Sequence, residues 1–432
     1  MNDIEYGGIL KSFSILLLIT GFLTQLCAGV SQPNEKWVFQ AESQLYAPPL
    51  VADVCENPGK ETIISDSEVR KLRCIDAAGK QIWEFSGNWK KRLPTAAALS
   101  FQTGQHSPLL VIGNGDGTLT CVNATNGELV WQKNVGSITW GNAIWTDVNG
   151  DGLDEIVAGT DDKGIFALDA SGNILWTFSQ LSESRSFSLV GPVAASDLNN
   201  DGKSEIFAVD KTGPFCLNPD GTLLWQQQTG DEFESAPTIA DADQDGQPEL
   251  YCTATKDKVI YSINAIDGTV NWKFSTFGAG EIYSGSSIAI GDLDDDGSAE
   301  IVFGDALGYI YCLSAAGELY WYFPTQKPVH AAASLGDVDA DGQVEVLIAS
   351  GDHSLYCLNS EGFPEWRYQA DLRLIYSPTI TDVDNDGKTD ILVCGSDRKL
   401  RCLALNARFV QDRMPWPSRR FNNEQSGSSF QI

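Results

Sequence analysis

The chain has 432 residues, 29 of them basic and 58 acidic, for a formal net charge of −29. That balance argues against a nucleic-acid partner, which needs a basic footprint, and opposes binding to anionic membrane surfaces. A hydrophobic content of 42% excludes a disordered chain, and 41 glycines point to many turns.

In chain order, the first feature is an apolar stretch from Phe13 to Leu26. It is short for a spanning helix and fits a signal peptide over residues 1–29, cleaved after Gly29 with Cys27 at −3. Asp3 and Glu5 offset Lys11 at the head of this segment, which leaves an uncleaved anchor as the alternative. A lipid on Cys27 is disfavoured by Leu26 before it. The expected location is therefore exported: periplasmic, cell-surface or extracellular.

From residue 35 the chain repeats. Tryptophan recurs at Trp37, Trp83, Trp131, Trp176, Trp225, Trp272, Trp321 and Trp366, at intervals of 45 to 49 residues. That period holds four short strands and their turns. In one unit, "SSIAIGD", "EIVFGD", "YIYCLSA" and "ELYWYFP" read as four strands punctuated by Gly and Asp, with no helical period. A lone four-stranded sheet exposes its faces and edges, so the units must stack, and radial stacking gives a propeller. The last unit ends without a tryptophan strand, while "EKWVFQ" at Trp37 has no three strands before it. The spacing predicts an all-β, eight-bladed propeller of four-stranded antiparallel blades over residues 35–405. The Trp37 strand completes its final blade, and residues 406–432 form a C-terminal tail.

Six units carry an acidic nonamer between their first and second strands. The first two are Asp147, Asn149, Asp151, Leu153, Glu155 and Asp197, Asn199, Asp201, Lys203, Glu205. Next come Asp241, Asp243, Asp245, Gln247, Glu249 and Asp292, Asp294, Asp296, Ser298, Glu300. The last two are Asp337, Asp339, Asp341, Gln343, Glu345 and Asp382, Asp384, Asp386, Lys388, Asp390. These residues hold positions 1, 3, 5, 7 and 9. Side chains at 1, 3, 5 and 9 and the carbonyl at 7 would converge on one point, with glycine at 6 for the turn. Unpaired carboxylates so close repel one another, and oxygen-only ligands favour calcium. Twenty-two of the 58 acidic side chains lie at these positions, and six Ca²⁺ would bring the charge from −29 to −17. The role expected is structural, each ion tying a blade's first hairpin. "DVCENPGKE" (53–61) is a degenerate copy and "SFQTGQHSP" (100–108) has lost the motif.

Cys74, Cys121, Cys216, Cys312, Cys357 and Cys402 share one repeat position, filled by Ala167 and Ser262 in the other units. That interchange asks for a small buried side chain. Cys394 and Cys402 could also face each other across a hairpin.

The nonamers resemble the FG-GAP/VCBS calcium repeats of integrin-like propellers. "GYIYCLSAAGELYWYF" and "GTLTCVNATNGELVWQ" resemble pyrroloquinoline-quinone-like propeller repeats, and "PWPSRRFNNEQSG" (415–427) is similar to a segment that accompanies such propellers. Quinone dehydrogenases of that family usually carry adjacent cysteines at the cofactor. This chain has no Cys-Cys pair. The resemblance therefore implies the non-catalytic branch, with no quinone.

The loops entering each first strand lie opposite the nonamers. They carry Tyr46, Arg92, Trp140, Arg185, Phe187, Glu234, Tyr283, His330 and Tyr376. Such an aromatic and polar rim can anchor a peptide or a sugar, and the same residues can equally pack adjacent blades. The function read from the sequence is a non-catalytic protein- or glycan-binding scaffold. The alternative is a calcium-dependent uronate lyase using Arg92, Arg185, Arg373 and His330.

Overall fold

The computed structural model describes residues 32–93, 96–101, 107–138, 143–179, 193–231, 233, 235–254, 258–277 and 287–418. The expected signal segment, residues 1–29, lies outside them. Among the described residues no helix is long and apolar enough to cross a membrane. Among the described residues thirty-two strands form eight antiparallel four-stranded sheets, and the chain is an eight-bladed β-propeller. Blades are numbered here in chain order, blade 1 beginning at Leu50.

Seven blades take their strands consecutively; blade 6, for example, is Ala289–Gly291, Glu300–Gly304, Tyr309–Leu313 and Leu319–Pro324. First strands are three or four residues long and wholly buried, and those of neighbouring blades approach one another, so they line the axis. Outer strands such as Val270–Ser275 alternate half-buried and exposed, as an edge with one solvated face must. Blade 8 joins both ends of the ring. Thr379–Thr381, Lys388–Cys394 and Lys399–Arg408 are completed by Asn34–Gln40, which pairs antiparallel with Lys399–Arg408.

One cross-strand pair recurs in every blade: the fourth-strand tryptophan sits opposite the small residue of the third strand. Examples are Trp83 with Cys74, Trp176 with Ala167, Trp272 with Ser262 and Trp37 with Cys402. All eight small residues are fully buried, which explains why Cys, Ala and Ser interchange. The possible pairing of Cys394 with Cys402 is not made. The register sets Cys394 opposite Leu400 and Cys402 opposite Leu392, and both thiols are free.

The same tryptophans join the blades. Each indole N–H reaches a carbonyl in the third-to-fourth turn of the next blade, as Trp37 does to Ala77, Trp225 to Ala265 and Trp321 to Ser360, at 2.7–2.9 Å. Beneath each ring lies the glycine of that turn. A Cβ there would meet the indole at 2.5–2.9 Å, for Gly79, Gly127, Gly172, Gly221, Gly268, Gly317 and Gly362 alike. Trp366 is the exception, and its buried Nε1 has no partner. In blade 8 the third strand runs on to Arg408 and the fourth comes from the other end of the chain. No turn is there to supply the carbonyl and the glycine.

Gly268→Ala tests this joint against Gly230→Ala, which shares the left-handed backbone (φ +77° and +84°) but has nothing within 4 Å. Urea unfolding should show a loss of about 1–2 kcal/mol for Gly230→Ala from backbone strain. Gly268→Ala should lose roughly a further 1–3 kcal/mol from overpacking against Trp225.

Candidate metal centres and the opposite mouth

The six nonamers adopt one backbone. Position 6 is glycine in the left-handed region throughout, from Gly152 (φ +79°) to Gly342 (φ +96°). Position 4 is left-handed as well: Gly150, Asn200, Gln244, Asp295, Ala340 and Asn385. Sequence reading overlooked position 4, although Gly, Asn or Asp fills it in four of the six loops.

Backbone N–H groups orient the carboxylates. In each loop the position-6 N–H donates to the position-1 carboxylate, as Gly297 does to Asp292 at 3.0 Å and Gly387 to Asp382 at 2.9 Å. The position-7 N–H donates to position 5, as Ser298 does to Asp296 at 2.7 Å. The position-2 N–H donates to position 9, as Leu293 does to Glu300 and Val338 to Glu345, both at 2.8 Å. One oxygen at each of positions 1, 5 and 9 is thereby fixed, which leaves the other open, whereas Asp384 at position 3 of its loop is held by Lys36 instead. Asp292 Oδ1, Glu300 Oε1, Asp337 Oδ1, Glu345 Oε1 and Asp384 Oδ1 are buried without a partner.

Four loops bring three carboxylates together with ligand oxygens within 4.8 Å of one another: Asp241, Asp243 and Asp245; Asp292, Asp294 and Glu300; Asp337, Asp339 and Glu345; Asp382, Asp384 and Asp390. Oxygens around a Ca²⁺ at about 2.3–2.6 Å lie within about 5 Å of each other, so these clusters can hold a metal ion. The two asparagine loops differ. Asn149 Nδ2 donates to Glu155 Oε1 at 2.9 Å and Asn199 Nδ2 to Glu205 Oε1 at 3.5 Å, taking up the oxygen left open elsewhere. The degenerate loop of blade 1 keeps part of the device, since Glu61 accepts the Val54 and Cys55 N–H groups and its Oε1 is buried without a partner.

Adjacent loops are stitched together. Position 8 of one donates to the preceding loop's backbone: Ser204 to Asp147 O, Ala299 to Ala242 O and Lys60 to Val383 O. Sequence reading also missed the chain after Arg408, which folds back over this face. Arg413 spans two loops, bonding Asp295 at 3.1 Å and Gly342 O at 3.1 Å. Trp416 pairs with Leu335 on the innermost strand of blade 7 and is fully buried, and Pro417 O accepts the Ile380 N–H of blade 8. Gly291 and Gly336 leave room for Pro415 and Met414.

At the opposite end, three of the rim residues come together. The Tyr46 and Tyr376 rings meet edge-on at 6.4 Å, and the Arg92 guanidinium lies 5.0 Å over Tyr46. Arg92 is half exposed, 3.9 Å from Glu68. His330 is half-buried beside Arg373, and burial followed by that positive charge pulls its pKa down. Trp140, Arg185, Phe187, Glu234 and Tyr283 lie outside the described residues.

The family described as the lambda-carrageenase beta-propeller domain matches residues 265–335 and 329–412. That described as outer membrane protein assembly factor BamB matches residues 68–213. With the eight-bladed ring, these matches support a pyrroloquinoline-quinone-like propeller. No curated protein matches the sequence. Similar solved structures include the Vibrio cholerae biofilm matrix protein Bap1 (TM-score 0.64, 13% identity, 89% of this chain and 92% of that one). BamB from Moraxella catarrhalis aligns with TM-score 0.60 at 15% identity, over 87% of this chain and all of that one. BBS1N, in complex with ARL6DN, aligns with TM-score 0.55 at 11% identity, over 86% and 97%. At these identities the likeness is one of fold.

Burial pushes the position-9 carboxyls of Glu155, Glu249 and Glu300 up to about 7 and that of Glu345 up to about 9, from an ordinary 4.5. Neighbouring loop aspartates add to the rise. A raised carboxyl binds its proton more tightly folded than unfolded, so the ion-free chain loses stability as pH rises from about 4.5 through 7, Glu345 extending the loss towards 9. In chelator, the urea midpoint should fall steadily between pH 5 and 8.5; a flat or rising midpoint would contradict this burial. Ala340 has a left-handed backbone (φ +65°), so Ala340→Gly should stabilise the chain by roughly 0.5–1 kcal/mol in the same assay.

Proposed function

We propose that this protein is an exported, calcium-tied propeller that acts as a non-catalytic scaffold and takes a protein or glycan ligand at the mouth opposite the acidic loops. The observation that carries the reading is the pair of loops at 292–300 and 337–345, whose convergent carboxylates keep oxygens buried without partners. Apart from backbone carbonyls the ligand set is carboxylate and amide oxygen, and each loop turns sharply at glycine, which suits Ca²⁺ better than a softer or more rigidly octahedral ion. Ligands at positions 1, 3, 5 and 9 with the position-7 carbonyl are those of the FG-GAP/VCBS resemblance. The loops at 241–249, 292–300 and 337–345 have full carboxylate sets, whereas those at 147–155 and 197–205 have one amide each.

Binding to the folded state alone stabilises it, by about 2.7 kcal/mol per loop at a calcium concentration 100-fold above Kd. The ions would hold one face rigid and leave the other for recognition. Arg92, Tyr46 and Tyr376 form a cation and two edge-on rings, a surface suited to the apolar face of a sugar or to a peptide carboxylate. The named relatives support this class: one is an assembly factor, one a biofilm matrix protein, and one is seen with a protein partner. The match to a propeller domain named for a carrageenase keeps a glycan among the ligands.

Thermal unfolding with calcium and with chelator tests the metal part. We expect a midpoint several degrees higher in calcium; coincident curves would reduce the nonamers to turns. Affinity electrophoresis through acidic and neutral polysaccharides tests the mouth. Retardation that Arg92→Ala and Tyr46→Ala abolish supports glycan binding, and a rise in ultraviolet absorbance from unsaturated uronate would instead reveal a lyase.

A further inference from the structure

The fourth strand of every blade carries one bulged residue just before its tryptophan. The register steps from Leu319 to Trp321, from Pro364 to Trp366 and from Val270 to Trp272, leaving Tyr320, Glu365 and Asn271 outside the ladder. A bulge re-aims a side chain. Tyr320 and Glu365 lie electrostatically close to the acidic loops of their own blades, 292–300 and 337–345. In blade 8 the register steps from Glu35 to Trp37, so the bulged residue is Lys36.

Lys36 reaches into the loop at 382–390. Its Nζ lies 2.6 Å from Asp384 Oδ2 and 3.1 and 3.2 Å from the two oxygens of Asp390. Asp390 is fully buried. These two carboxylates belong to the same convergent triad as Asp382. A second cation stands nearby, since Lys60 of blade 1 bonds Thr381 Oγ1 at 3.2 Å. Among the described residues, no other nonamer has a lysine or arginine within 4 Å of a carboxylate at positions 1, 3, 5 or 9; Arg413 contacts Asp295, at position 4.

We propose that the loop at 382–390 carries its own cation: the Lys36 ammonium takes the place of a divalent ion, so blade 8 closes without metal while the full-carboxylate loops at 241–249, 292–300 and 337–345 depend on it. An ammonium gives a compact point charge with three donors, enough to bond Asp384 and both oxygens of Asp390. Being tethered to the closing strand, it makes the neutralisation of this loop and the pairing of Asn34–Gln40 one event. A divalent ion there would be repelled by Lys36 at close range. In blade 8 the bulged residue thus supplies the cation of its loop.

This inference rests on the calcium reading, and one experiment separates the two. Calcium per chain is measured by elemental analysis after equilibrium dialysis for the full chain, Lys36→Met, Lys36→Gln and the control Tyr320→Met. Both Lys36 variants should bind one more ion than the unaltered chain and the control none more. Their thermal midpoints should fall in chelator and recover in calcium. Unchanged counts in the Lys36 variants, with calcium bound by the unaltered chain, would overturn this proposal and leave the calcium reading standing. No ion in any of the proteins would overturn both. Lys36 variants that fold in neither calcium nor chelator would also overturn it, because calcium could not then replace the ammonium.

Discussion

A buried carboxylate oxygen with no hydrogen-bond partner is costly, and several aimed at one point also repel one another. That constraint bears on the acidic-loop face of this ring, most directly in blades 6 and 7. Asp292, Glu300, Asp337 and Glu345 each present such an oxygen because a backbone N–H has already fixed the other. Protonation relieves the strain at low pH, an asparagine amide relieves it in blades 3 and 4, and Lys36 relieves it in blade 8. Where neither amide nor ammonium intervenes, the clustered carboxylates could hold a metal ion.

The rest of the architecture keeps those loops in register. Each tryptophan lies on the next blade's glycine and donates to its turn carbonyl, and those turns lie at the same end of the blades as the acidic loops. Backbone bonds from position 8 to the preceding loop run alongside. The one joint lacking the tryptophan contact, between blades 7 and 8, is crossed by the tail, with Trp416 on Leu335 and Pro417 on Ile380. Extra contacts thus gather around blade 8, where the joint to blade 7 lacks its tryptophan bond. Glu35 and Lys36 of the closing strand bond Arg401 and the blade 8 loop respectively.

Much of this was legible in the sequence because it repeats. Eight tryptophans at blade-sized intervals gave the blade number, and Cys, Ala and Ser in one column marked a small buried position before its tryptophan neighbour was visible. Six nonamers in register marked the acidic face. What does not repeat stayed hidden. Lys36 and Asp390 are 354 positions apart and Arg413 and Asp295 are 118 apart, and no single motif holds both members of either pair. The left-handed backbone at position 4 was obscured by Gln244 and Ala340, which take that conformation against their preference. At the mouth, composition could not separate packing from recognition; Tyr46, Arg92 and Tyr376 are joined by the way blade 8 meets blade 1.

The most direct measurement is a crystal structure grown in calcium, with anomalous scattering recorded to locate the ions. The account predicts anomalous peaks inside the clusters at Asp241–Asp245, Asp292–Glu300 and Asp337–Glu345, and Lys36 rather than a peak between Asp384 and Asp390. Loops of unchanged shape with water or nothing among those carboxylates would contradict it.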